Sequence, residues 1–111
     1  MIKITAESNK PIICSGDTEE EKFISEWLMY DIQAHVLGTE DWLNKLDTSN
    51  VHNPVLSGGN NFLVDFLENE VILYKGLSRE KKTYPKNIIR KALLEWKKAC
   101  ESKKKCYKSS F

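Results

Sequence analysis

Long apolar runs are missing from this sequence. None approaches the ~20 residues that a membrane-spanning helix requires, so no helical membrane span is expected. Cysteine is scarce and odd in number. Cys14, Cys100 and Cys106 include no CxxC pair, which argues against both a disulfide framework and a zinc site. Cys14 and Cys100 read instead as small core residues. The opening residues, MIKITAESNKP, lack the apolar segment of a signal peptide, and the chain is expected to stay in the cytoplasm. There is no Walker loop, no GxGxxG and no GxSxG, and Gly58-Gly59 alone is a loop feature. No cofactor and no metal are expected.

What is present suits one globular domain. The 111 residues are 41% hydrophobic and 30% charged, ordinary values for a chain that folds unaided around one core. The net charge of +1 conceals a division. Residues 1–70 hold 13 acidic side chains against 4 lysines, a net −9, whereas residues 71–111 hold 13 basic side chains against 3 glutamates, a net +10. Either the two halves neutralise each other within the fold, or each sign faces a partner.

The clearest local pattern runs from Gly59 to Gly76, GNNFLVDFLENEVILYKG. Phe62, Val64 and Phe66 alternate with Leu63, Asp65 and Leu67, the period of a strand with one buried face. Glu68-Asn69 interrupts the alternation, and Val71 and Leu73 resume it. A two-residue loop there pairs Phe66 with Val71 and Val64 with Leu73. Such a hairpin is marginal alone and must be covered; Trp27 and Trp96 are the expected cover.

Elsewhere, Met1–Ala6 alternates as a short strand, and Pro11–Cys14 reads as its hairpin partner. Thr18 and Glu21 form a capping box, with Glu19, Glu20 and Glu21 suiting the positive end of the helix dipole. The stripe Phe23, Trp27, Tyr30, Ala34 and Leu37 predicts one long helix ending at Gly38. A shorter helix capped by Thr39-Glu40-Asp41 follows, then a loop from Thr48 to Gly59. Leu77–Tyr84 reads as a connection or a third strand. Ile88, Ile89, Ala92, Leu93, Trp96, Ala99 and Cys100 mark a second long helix after Pro85. The expectation is an α+β fold, an antiparallel sheet built from two hairpins with two main helices packed on it. It spans residues 1–103, and residues 104–111 form a basic, flexible tail.

Two features bear on function. Asp31 and His35 are one helical turn apart beside the apolar stripe, the arrangement of a carboxylate that orients an imidazole. No nucleophile or third ligand accompanies them, so catalysis is not expected and the pair reads as structural or partner-contacting. The other feature is acidic: Glu19, Glu20, Glu21, Glu26, Glu40, Asp41 and Asp47 collect around the first helix and its continuation. Dense carboxylate is what an antagonist of a basic, nucleic-acid-cleaving partner needs, because it takes the place of phosphates. The Lys-rich final helix is the basis of a rival reading, a small nucleic-acid-binding or regulatory protein. The aromatics lie in apolar stripes with no stacking platform beside the lysines, so direct nucleic-acid binding is not expected.

The segment FISEWLMYDIQAHVLGTEDWLNKLDT, followed by SGGNNFLVDFLENEVILY and a closing amphipathic helix, resembles the immunity proteins of bacterial contact-dependent growth inhibition systems. The likeness runs from about Ile2 to Cys100 and rests on layout. It implies a non-catalytic, stoichiometric inhibitor of the toxic C-terminal domain, an RNase or DNase, of a delivered effector. The expected toxin-binding residues are Glu19, Glu20, Glu21, Glu26, Asp31, His35, Glu40 and Asp41, with His52 and Asn53 of the long loop adding specificity.

Overall fold

The computed structural model describes residues 1–48, 55–56, 61–76, 80–102 and 106–111. In chain order the elements are β1 (Ile2–Ala6), β2 (Ile13–Gly16), α1 (Glu19–Trp27), a π-helical turn (Leu28–Ile32), α2 (Val36–Thr48), β3 (Val55–Leu56), β4 (Phe62–Phe66), β5 (Glu70–Lys75), β6 (Glu80–Pro85), α3 (Lys86–Glu101) and β7 (Tyr107–Ser110). The class is α+β. The two hairpins lie in separate antiparallel sheets, ordered β2-β1-β7 and β3-β4-β5-β6.

The β4–β5 hairpin has the register that its alternation dictates: Phe66 faces Val71 and Val64 faces Leu73. Leu67 N–H donates to the Glu70 carbonyl at 2.9 Å, closing the turn. Phe62, Val64, Phe66, Val71 and Leu73 are all buried. Phe23 tilts against Phe62 at 5.4 Å between centroids, and Trp42 lies 6.0 Å from Phe66. Trp27 and Trp96 are buried in the same continuous core, which draws on both sheets and all three helices. Residues 80–85, ambiguous in sequence, are a strand paired with β5.

Three expectations need correction. The tail is not loose where it is described: Tyr107–Ser110 adds a strand to β1, with Ala6 opposite Tyr107 and Lys3 opposite Ser110. Glu95 of α3 holds it there, accepting from the Tyr107 hydroxyl at 2.5 Å and from Ser109 Oγ at 2.9 Å. The predicted long helix is instead two helices, because the backbone breaks at Gln33. Gly38 therefore ends nothing; it sits in the first turn of α2, with a negative φ. The capping box at Thr18 is present, and Glu21 carries out its half by accepting from Thr18 N–H at 3.0 Å.

Among the described residues no helix is long and apolar enough to cross a membrane.

Candidate functional site

Among the described residues, the corner between α1 and α2 has the least ordinary backbone. Gln33 N–H donates to the Leu28 carbonyl at 2.8 Å, five residues back, which is the bond of a π-turn. Turns of this type insert an extra residue into a helix and occur frequently at functional sites. Gln33 then adopts φ 58°, ψ −178°, a region that is essentially glycine's alone. Three bonds hold it. Its carbonyl accepts from Trp96 Nε1 of α3 at 2.8 Å and from His35 N–H at 2.8 Å, and its side-chain Nε2 donates to the Tyr30 carbonyl at 3.0 Å. Strain of this kind amounts to ~1–3 kcal/mol and persists only where the surroundings over-determine it.

The two sequence candidates sit on either side of that residue. Asp31 is only 5% exposed. Its Oδ2 accepts from the backbone N–H of Phe62 at 2.8 Å, fastening the corner to the start of β4. Its other oxygen, Oδ1, is buried with no hydrogen-bond donor, and Trp27 Nε1, one turn earlier, is buried with no acceptor. His35 does not bond to Asp31 within the described contacts. It begins α2: its ring Nδ1 accepts from Gly38 N–H at 3.1 Å and its carbonyl from Thr39 N–H at 2.9 Å and Thr39 Oγ1 at 2.8 Å. The imidazole thus performs the capping task usually given to Ser, Thr, Asp or Asn. Gly38 leaves the ring its place, since a Cβ there would stand 3.3 Å from Nδ1.

A cavity of about 260 Å³ opens beside these groups, lined by Asp31, Ile32, Gln33, His35, Gly38 and Trp42. Tyr30 and Leu37 flank the corner with 56% and 72% of their surface exposed. Gln33, Gly38 and Trp42 escaped the reading of the sequence as site residues. A polar residue in a glycine conformation leaves no periodicity signal, and Trp42 reads as core, which it also is.

The acidic residues are interleaved with the basic half of the chain. Glu26 pairs with Lys75 at 2.7 Å, Glu40 with Lys97 at 3.3 Å, Glu20 with Lys82 at 3.9 Å, and Asp47 with Arg90. Asp41 pairs with Lys45 at 3.1 Å and Glu19 with Lys22 at 3.7 Å within their own helices. Glu21 joins the Met1 amino group, and that bond together with the capping bonds from Thr18 and Asp17 holds its carboxyl down at about 2. Much of the opposite charge of the two halves is therefore matched within the fold, in exposed pairs of small individual worth. His52 and Asn53 lie outside the described residues. Among the described residues no cluster of three His, Cys, Asp or Glu side chains could hold a metal ion.

Comparisons with known proteins find no matching family model, no similar curated protein and no similar solved structure.

The strain at Gln33 is open to a direct check. Gln33→Gly relieves the conformation at the entropic cost of a glycine, ~0.5–1 kcal/mol, so a net stabilisation of about 0.5–2 kcal/mol is expected in urea titration. Because the glycine also gives up the Nε2–Tyr30 bond, only a loss greater than about 1.5 kcal/mol would show that the backbone there is not strained.

Proposed function

We propose that this protein is an immunity protein, binding and neutralising the nuclease-type C-terminal toxin domain of a contact-dependent growth inhibition effector without catalysing any reaction. The observation that carries this reading is the α1–α2 corner. There a strained backbone displays Tyr30 and Leu37 to solvent beside a cavity whose polar lining comes from Asp31, Gln33 and His35. Strained residues cluster at ligand clamps and switch regions, and tyrosine, here Tyr30, is one of the side chains enriched among the anchors of protein interfaces. Glu40 and Asp41 stand on the neighbouring turn of α2 in exposed pairs with Lys97 and Lys45, which a surface that grips phosphates would have to exchange for its own cations. The sequence likeness to immunity proteins supports the same reading.

The nucleic-acid-binding alternative draws less support. On α3, Arg90 and Lys97 are engaged by Asp47 and Glu40, and Lys91 and Lys98 flank Glu95 at 3.1 and 3.5 Å.

The test is to co-express the chain with the toxin domain of the effector encoded beside it. A one-to-one complex by light scattering and loss of nuclease activity are expected. Absence of such an effector domain, or full nuclease activity with the chain in excess, would remove the proposal. Within the complex, Glu20, Glu26 and Asp41 changed together to Lys should slow association about tenfold or more at low salt, the steering contribution of complementary charge. Lys97 and Lys98 changed to Glu should matter less. The measurement is association rate against ionic strength, with circular dichroism confirming the fold; the reverse ranking would put the interface on α3.

A further inference from the structure

The β7 edge of the three-stranded sheet is open. In an antiparallel ladder, residues that exchange both backbone bonds with their opposite number alternate with residues whose N–H and C=O point away. Ile2 and Phe111 exchange both, at 2.6 and 2.9 Å. By the same alternation Ser109 bonds to Ile4 and Tyr107 to Ala6. Lys108 and Ser110 therefore turn their backbone N–H and C=O outward, and among the described residues those groups meet no backbone partner. Both residues are exposed. An edge of this kind is a template for another extended chain. The other described edges are blunted. On β2, the outward N–H of Cys14 donates to the Met29 thioether at 3.3 Å. β3 has two residues, and β6 carries Glu80 among its lysines and ends in Pro85.

Charge decides what docks there. The outer face of this sheet presents Lys3, Thr5, Ile13, Ser15, Lys108 and Ser110, with no carboxylate among them. Lys3 lies opposite Ser110 and Lys108 opposite Thr5, so the two lysines are diagonal neighbours. Neither is in an ion pair among the described residues, whereas Lys75, Lys82 and Lys97 all are. On the inner face, Lys91 and Lys98 reach Glu95 with their ammonium ends more than half exposed. Glu95 is already committed to the hydroxyls of Tyr107 and Ser109. The open edge is thus bracketed by cations on both faces. A second copy is a poor occupant, because pairing β7 with β7 sets these lysines against their own kind. A phosphodiester chain matches the charge but has no alternating N–H and C=O for the edge. An extended polypeptide that carries carboxylates satisfies both.

We propose that the β7 edge is a docking site for an extended acidic segment of a protein partner, which adds a strand beside Tyr107–Ser110. Its carboxylates meet Lys108, with Lys3 behind it, on the outer face, and Lys91 and Lys98 on the inner one. Main-chain bonds to Lys108 and Ser110 supply affinity, and the lysines select for acidic sequence. This surface is distinct from the α1–α2 corner and does not rest on the immunity reading.

The experiment uses the full chain, ¹⁵N-labelled, titrated at low salt with a blocked eight-residue peptide of alternating threonine and glutamate and with its glutamine counterpart. In the free chain the Lys108 and Ser110 amides should be at least tenfold less protected from hydrogen exchange than the Ser109 amide, which bonds to β1. Equal protection at all three would show that the edge is already covered. The glutamate peptide should give saturable shifts at Lys108 and Ser110 and slow their exchange at least tenfold. The glutamine peptide should bind at least tenfold more weakly. Equal affinity for the two peptides, or shifts that leave these amides unmoved, would overturn the site. Lys108→Glu, at an exposed position whose N–H takes no part in the β1 ladder, should weaken the glutamate peptide at least tenfold; unchanged affinity would remove the role of charge and with it the proposal. Two further outcomes name a different occupant. If single-stranded oligothymidylate of matched charge slows exchange at Lys108 and Ser110 as the peptide does, the face takes polyanions and the strand partner is overturned. If the peptide-free chain gains mass with concentration in light scattering while the same amides become protected, the edge belongs to a second copy.

Discussion

Phe66→Ala is expected to destabilise the protein by roughly 3–5 kcal/mol, the range for emptying a fully buried aromatic site. The side chain is 2% exposed, faces Val71 across the hairpin and meets the Trp42 ring. Two elements close over it, so the cavity left behind cannot collapse easily. The position also tests the register, because a slip of one residue would turn every side chain of β4 to the opposite face. Ile72, half-buried on the other face of β5, supplies the control: Ile72→Ala should cost less than half as much. The comparison is made by urea titration with matched m-values. A loss below about 1 kcal/mol for Phe66→Ala would mean that the inward face of the hairpin had been misassigned.

The hairpin could be read from sequence because its two strands are consecutive and one period-2 pattern, broken once, specifies pairing, face and turn together. The Thr18 cap and the stripe of α3 are local in the same sense. The corner at Gln33 is not. Asp31 and Ile32 remain buried through the π-turn, so the burial pattern of the stripe continues where the α-helix has already ended. The cap that starts α2 is His35, a residue type with weak capping preference. The strain at Gln33 is enforced from 63 positions away by the indole of Trp96, a contact that no local pattern encodes. Charge behaved similarly. The polarity of the two halves was visible, but the particular pairs, such as Glu26 with Lys75 and Glu40 with Lys97, required the fold.

The last strand was missed because only Tyr107 among its four residues, beside a lysine run, favours a strand; tertiary bonds supply the rest. Beside the β1 ladder, Glu95 is the source of its side-chain bonds, and removal of Glu95 should have the second largest effect on stability. It is 6% exposed. Its Oε2 takes the hydroxyls of Tyr107 and Ser109, and its Oε1 faces the Lys91 and Lys98 ammonium groups. The Tyr107 hydroxyl, then Lys91, Ser109 and the charge of Lys98, outweigh burial and hold the carboxyl down at about 2, against an ordinary 4.5. Glu95→Ala leaves the two hydroxyls without an acceptor and frees β7 from α3. Removing one member of a buried charged network costs roughly 3–5 kcal/mol; because both lysine heads reach solvent, about 2–3 kcal/mol is expected here. Glu95→Gln keeps an acceptor but not the charge, and isolates the pH-dependent part. Since folding lowers the proton affinity of this carboxyl, its stabilisation is complete above the unfolded value near 4.5 and fades as pH falls toward 2. The wild type should therefore exceed Glu95→Gln by about 1–3 kcal/mol at pH 7, and the gap should close between pH 4.5 and 2. Glu21, whose carboxyl is lowered to a similar value, contributes equally to both proteins and cancels in the difference. Urea titrations across that pH range give the gap, and hydrogen exchange at the β1 and β7 amides locates it. A gap of the same size at pH 7 and pH 2.5 would show that the charge of Glu95 does not hold the strand.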